Sequence, residues 1–236
     1  MKSLERAFVL NRISYSETSL VIKSFTKNHG LKSFLIQGGK KKYAALIQVL
    51  SPIEFTFNQR HEDQLCKMYD LRLFLNLPEI RFNPIKSSIA FFQSEVLLQC
   101  IEEGMIDEAL FYFLENELIW LNENNSLANY LLYWLLELSS VLGFKPYATT
   151  ENACFFDMEN GVLVEQLQHG SQGVSGNEIN LLRQLLDLEK SELLELISNR
   201  DERNKLLEIL LQYYSFHIPR FKKIKCLEVY ESIWND

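Results

Sequence analysis

The sequence predicts an α+β protein: a small N-terminal β-barrel, then an α-helical domain carrying one β-hairpin. Three observations lead there. The first 80 of the 236 residues read as short strands, among which Ser19–Thr26 and Ile53–Phe57 alternate apolar and polar side chains. A proline-bearing segment, Leu77–Pro84, then switches the pattern to a helical period. The charge divides at the same place. Met1–Ile80 holds 12 Lys and Arg against 7 Asp and Glu, whereas the remainder holds 12 against 24. Two domains are therefore expected, a basic one over 1–80 and an acidic one over 81–236.

The strands come first. Ala7–Ile13 reads as a strand and Ser14–Thr18 as a turn. Ser19–Thr26 alternates, with Leu20, Ile22 and Phe25 set roughly against Ser19, Lys23 and Ser24. Asn28-His29-Gly30 supplies a residue able to take positive φ, which makes a hairpin with Leu31–Gln37. Gly38-Gly39-Lys40-Lys41-Lys42 reads as a loop, and a mixed segment follows it. Ile53–Phe57 alternates, Asn58–Asp63 turns, and Gln64–Arg72 supplies a fifth strand. Five short strands with Gly-bearing turns, complete in about 80 residues, fit a small barrel rather than a sheet covered by helices on both faces.

At Asn83-Pro84 a helix begins, with Asn83 as its cap and Pro84 at the first helical position. Ile85, Ile89, Phe92, Val96 and Ile101 lie near one face of a helix reaching Glu103. Met105–Leu121 and Ser126–Leu142 follow, and Gly143 with Pro146 stops the third. Phe155–Met158, Glu159-Asn160-Gly161 and Val162–Glu165 read as an isolated hairpin near 154–165, and Gly170–Gly176 is a loop. Leu181–Leu188, Ser191–Ile197, Asp201–Phe216 and Ile224–Ile233 complete a second helical group.

Several chemistries fail on spacing. Cys66, Cys100, Cys154 and Cys226 stand alone, as do His29, His61, His169 and His217, whereas zinc takes paired ligands at short separations. No metal and no cofactor are expected. Gly173-Val174-Ser175-Gly176 lacks the final glycine of a nucleophile elbow. Gly38-Gly39-Lys40 lacks the spacer and hydroxyl residue of a P-loop. Glu102/Glu103 and Asp107/Glu108 sit on polar helix faces and are expected to be solvated. The chain therefore reads as a protein without catalytic residues. Its N-terminus, with Glu5, Arg6 and Arg12, has no apolar stretch of the kind a leader needs. No run approaches the roughly 20 apolar residues of a membrane span. A cytoplasmic protein is expected.

The basic barrel carries the function. Lys40, Lys41 and Lys42 form one loop, and Arg12, Lys23, Lys27 and Lys32 lie on or between neighbouring strands. Tyr15 and Tyr43 are their aromatic neighbours. Cations interleaved with rings on a small barrel suit single-strand binding, in which phosphates meet Lys and Arg and bases stack on rings. Lysines also guard strand edges against aggregation, so a merely solvated face is the alternative. A second basic island, Arg220 to Lys225, lies in the acidic half.

Three stretches resemble one family, the bacterial recombination mediator RecO. Ala7–Lys42 is similar to the family's opening strands, its T-x-x-x-G turn (Thr26–Gly30) and its glycine-then-basic loop. Leu142–Pro146 (LGFKP) resembles the close of a central helix. Leu206–Ile233 resembles the C-terminal helices with their paired tyrosines and a K-S-L-like signature, here Lys225-Cys226-Leu227. Cys226 departs from the family's usual serine.

The resemblance implies an N-terminal OB-fold with a helical domain behind it, and a non-enzymatic role in recombinational DNA repair. It implies binding to single- and double-stranded DNA, annealing of complementary strands, and action with RecR. It also implies help in loading RecA onto strands coated by single-strand binding protein, at the nucleoid. Some members hold zinc through four cysteines in the helical domain; here only Cys154 stands in that region, so no metal role carries over. Relatives engage the acidic and apolar C-terminal tail of single-strand binding protein. The basic residues near apolar helices, Arg203, Arg220, Lys222 and Lys223, are the candidates for that contact, with local pairing of Arg203 to Glu202 or Glu208 as the alternative. The competing reading of the whole chain is a protein–protein adaptor whose OB-fold is a docking module with no direct DNA role.

Overall fold

A computed structural model of the protein describes residues 2–58 and 65–227. Five strands, β1 (Lys2–Ser14), β2 (Leu20–Thr26), β3 (Gly30–Ile36), β4 (Pro52–Asn58) and β5 (Cys66–Leu73), close into a barrel of order β1-β2-β3-β5-β4. All neighbours are antiparallel except β3 and β5, which run parallel at Phe34↔Cys66 and Leu35↔Lys67. That circuit is the OB-fold topology. The alternation seen in sequence fills the interior: Ala7, Val9, Leu20, Ile22, Phe34, Ile36, Ile53, Phe55 and Phe57 form one buried core. Phe34 meets Phe55 and Phe57 edge to face at 4.9 and 5.4 Å.

The outer face of the barrel is partly apolar because helices cover it. After β3 comes a single helical turn, α1 (Gly39–Lys42). Then α2 (Pro78–Phe82), α3 (Pro84–Cys100) and α4 (Glu108–Glu123) follow β5. Asn83 caps α3, its side chain accepting from the Ile85 and Lys86 amides, with Pro84 at the first position. Phe111 of α4 packs on Phe8, Phe25 and Phe74 of the barrel at 4.9, 6.2 and 6.5 Å. Ser94 of α3 donates to the Leu10 carbonyl at 2.5 Å. Lys86 is buried, and its ammonium donates to the Asn122 carbonyl at the end of α4. A helix C-terminus is a favourable place for a cation, and burial still lowers that lysine's pKa.

By compactness the chain divides into Met1–Glu123 with the segment from Ile224 on, and Asn124–Lys223. The change of secondary structure at residue 80 and the change of compact unit therefore fall at different places, because α3 and α4 pack on the barrel. The second unit holds α5 (Tyr130–Val141), a small sheet, α6 (Asn177–Asp187) and α7 (Arg200–His217). Its two adjacent tyrosines anchor α7: Tyr214 donates to the Leu135 carbonyl at 2.6 Å, and Tyr213 donates to Phe144. Burial pushes the Tyr213 phenol up to about 12.

Four expectations are corrected here. The Gly38–Lys42 loop contains a helical turn, because the Lys41 and Lys42 amides both reach the Gly38 carbonyl. The hairpin is not isolated. Its strands β7 (Phe155–Asp157) and β8 (Val162–Val164) sit between β6 (Tyr147–Ala148) and β9 (Gly173–Ser175), in order β6-β8-β7-β9. Gly170–Gly176 is thus partly strand. Ser191–Ile197 holds only a 3-10 turn, Glu192–Leu194. There the Leu193 and Glu195 amides reach back three residues, to the Lys190 and Glu192 carbonyls at 3.4 and 3.0 Å, and the Leu196 carbonyl accepts from the Asn129 side-chain amide at 2.8 Å. The turn expected beyond Asn58 and the helix expected beyond Leu227 lie outside the described residues.

Candidate nucleic-acid interface

The candidates for DNA binding all lie in the first unit, but the barrel sorts them onto two ends. Seven residues of β2 at roughly 3.3 Å each put its ends about 20 Å apart. The β1–β2 turn lies at one end and the β2–β3 turn at the other.

At the first end stand Tyr15 and Lys40–Lys42. Tyr15 is 66% exposed, and its amide closes the turn on the Ser19 carbonyl at 3.1 Å. The Lys40 amide donates to the Thr18 carbonyl at 3.2 Å, which ties the lysine turn to the β1–β2 turn. Two glycines make this possible. Gly38 takes φ +68, and a Cβ on buried Gly39 would sit 2.8 Å from the Ile36 side chain. Among the described residues neither Lys40 nor Lys41 forms an ion pair. Lys42 stands 4.8 Å from the centre of the Tyr43 ring, and its hydrogen bond to that phenol raises its pKa, so it stays charged. Arg12, at the same end of β1, donates through Nη1 to the Ile47 carbonyl at 2.8 Å.

The other candidates are engaged elsewhere. Lys23 pairs with Glu103 at 2.8 Å, an interaction that lowers the Glu103 pKa. Lys27 donates to the Tyr112 hydroxyl at 2.6 Å, lies 4.7 Å over that ring and reaches Glu108 at 3.5 Å; its pKa is raised, chiefly by the tyrosine. Glu103 and Glu108 are exposed, as expected of solvated carboxylates, and each also partners a barrel lysine. Asp107 caps α4 through the Leu110 amide at 2.8 Å. Lys32 stands apart from both, 5.9 Å from the Phe57 ring at the far end. There, the buried Glu5 carboxylate holds the β2–β3 turn through Asn28 and, at 2.5 Å, His29 Nδ1.

In the second unit, Arg203 bonds to neither Glu202 nor Glu208. Its Nη1 donates to the Ser198 carbonyl at 2.7 Å and to the Ser198 hydroxyl at 3.2 Å. Arg220 is exposed at φ +64, and Phe221 packs on Tyr214 at 5.6 Å. Among the described residues no three His, Cys, Asp or Glu side chains cluster as metal ligands. Burial pushes the Cys100 and Cys226 thiols up to about 12, so they stay protonated and bind metal poorly. No described helix is long and apolar enough to cross a membrane.

Sequence reasoning missed Arg81 and Phe91, which the fold brings beside Arg12. The signal available was Arg81-Phe82 beside the Asn83-Pro84 corner, a cation next to a ring, but the corner reads first as a helix start.

Residues 1–74 match the family model described as "Recombination protein O N terminal", and residues 81–225 match "Recombination protein O C terminal". The chain is 33% identical over 240 residues to the DNA repair protein RecO of Flavobacterium psychrophilum, covering 100% of both chains. It is 32% identical to that of Flavobacterium johnsoniae, again over 100% of both, and 32% identical to that of Phocaeicola vulgatus, over 96% of this chain and 97% of the other.

Proposed function

The chain belongs to the RecO family of DNA repair proteins, and from that premise we propose that it is a recombination mediator that works by binding rather than by catalysis. Its barrel takes single- and double-stranded DNA and lets complementary strands anneal. With RecR, it helps RecA load onto strands coated by single-strand binding protein. Residues 1–80 supply the DNA contacts and residues 81–236 the partner contacts, in the cytoplasm at the nucleoid. In the second unit, Arg220, Lys222 and Lys223 beside Phe221 offer cations and a ring to the acidic, apolar tail of single-strand binding protein.

One observation carries the DNA reading. Lys40, Lys41 and Lys42 share a single helical turn, held against the Tyr15 turn by the Lys40 amide. Three adjacent cations with rings on either side match the demands of a flexible polyanion whose bases can stack. The test is binding of a labelled oligothymidine to the full chain at stepped salt. Affinity should fall linearly on a log–log plot, with a slope of roughly 0.7 per phosphate contacted. Absence of binding at low salt would overturn the reading and leave the adaptor role.

A further inference from the structure

A cleft of about 430 Å³ lies between β1 and the α2–α3 corner, lined by Asn11, Arg12, Gln48, Arg81, Ser87 and Phe91 among others, none of them acidic. Its two guanidiniums are held by one piece of backbone. Arg12 donates to the Ile47 carbonyl at 2.8 Å and Arg81 Nη2 donates to the Ala45 carbonyl at 2.7 Å. That piece is continuous with the lysine turn, since the Leu46 and Ile47 amides bond back to the Tyr43 carbonyl at 2.9 and 3.1 Å. Arg81 Nε has no acceptor from the protein. Arg81 also lies 5.5 Å over Phe82, and Phe91 on the cleft wall is 54% exposed.

We propose that this cleft is a nucleotide subsite of the strand path, in which Arg12 and Arg81 hold the backbone phosphate and Phe91 stacks a base. The inference rests on the DNA-binding reading of the barrel and extends it onto the first helices. Two cations without a carboxylate among the lining residues select an anion, and guanidiniums beside rings are the elements of a stacking platform. A strand lying on Lys40–Lys42 reaches the cleft by following one segment of chain, which favours nucleic acid over an acidic peptide. Volume also fits, since sites for small ligands begin near 300 Å³.

The test uses the full chain and oligothymidines carrying single 5-iododeoxyuridines. Irradiation followed by peptide mass spectrometry should yield an adduct on Phe91. Phe91→Ala should weaken single-strand binding about five-fold or more, as loss of one stacked base requires. Arg81→Gln should reduce the salt slope by about 0.7. Circular dichroism establishes that both variants are folded. If both bind like wild type while Lys40→Ala/Lys41→Ala/Lys42→Ala has lost affinity, the cleft is off the path and the barrel reading stands. Failure of the wild type to bind removes both. Cleft variants that lose an acidic peptide but keep the oligonucleotide overturn the subsite in favour of a protein partner.

Discussion

Lys23 Nζ stands 2.8 Å from Glu103 Oε1, so a cation on the barrel wall is already neutralised by the connection between α3 and α4. Lys27 is treated alike by Tyr112 and Glu108. The positive charge of the first 80 residues is therefore uneven: paired near the β2–β3 turn and unpaired, among the described residues, at Lys40 and Lys41.

Salt titration separates the two groups. Replacing Lys40, Lys41 and Lys42 together with alanine should flatten the slope on single strands by about 2, from roughly 0.7 per contact. Lys23→Ala and Lys27→Ala should each change it by well under one contact. Glu103→Gln, which releases Lys23, should steepen it. Equal losses from all five lysines would show that the ion pairs open when DNA arrives.

Glu54 gives the barrel a pH dependence. Buried on β4, it bridges Arg72 and Arg6 on the flanking strands, and these two hold its pKa below the ordinary 4.5. A depressed carboxylate stabilises the fold above its unfolded pKa, and that contribution is lost as pH falls through the folded value. Urea midpoints measured from pH 6 down to pH 3 should decline below about 4.5, and Glu54→Gln should decline less steeply. Parallel declines would exclude Glu54 as the source.

Gly30 tests how closely the helical connection is applied to the barrel. It takes φ +63, and a Cβ there would lie 2.2 Å from the Met105 carbonyl oxygen. Gly38 has a similar φ but open space around it. Gly38→Ala should therefore cost about 1 kcal/mol from backbone strain. Gly30→Ala should cost more than about 2 kcal/mol, because backbone must also move. Chemical denaturation of both variants measures the difference.

Arg203 should prove structural. Its bonds to Ser198 fix the entry to α7, so Arg203→Ala is expected to destabilise by about 1 kcal/mol and leave the affinity for a labelled acidic, apolar tail peptide unchanged. Lys222→Ala/Lys223→Ala should weaken that peptide several-fold. The reverse pattern in fluorescence anisotropy would move the peptide site onto α7.

Elemental analysis of the purified chain should find no stoichiometric zinc, and a chelator should leave its melting temperature unchanged. One zinc per chain would require ligands drawn from separated cysteines or from residues outside those described.

How much of this was legible in the sequence depended on range. Ile53, Phe55 and Phe57 announce an inward face because a strand's period is local, and all three are in the barrel core. Asn83-Pro84 likewise carries its own cap. The cation set was legible as residue types but not as an arrangement. Nothing near Lys27 in the chain foretells Tyr112, a partner that only the docking of α4 supplies. Arg81 was hidden for the same reason, since its acceptor Ala45 lies across the β4–β5 hairpin. The helical reading of Ser191–Ile197 failed because the Leu193 and Glu195 amides bond three residues back, to Lys190 and Glu192, and close only a 3-10 turn.

The circuit β1-β2-β3-β5-β4 returns to its start, and closure has a consequence for how the barrel can be engaged. Among the described residues, four of its seams are long ladders. Only the β3–β5 seam is short, paired at Phe34↔Cys66 and Leu35↔Lys67, so room for a partner peptide to add as a strand is confined to that seam. Recognition on the rest of the barrel must pass through side chains and turns, which tolerate a ligand that slides or changes sequence. The small sheet differs. It ends at Tyr147–Ala148 and Gly173–Ser175, margins of two and three residues, too brief to template an incoming strand.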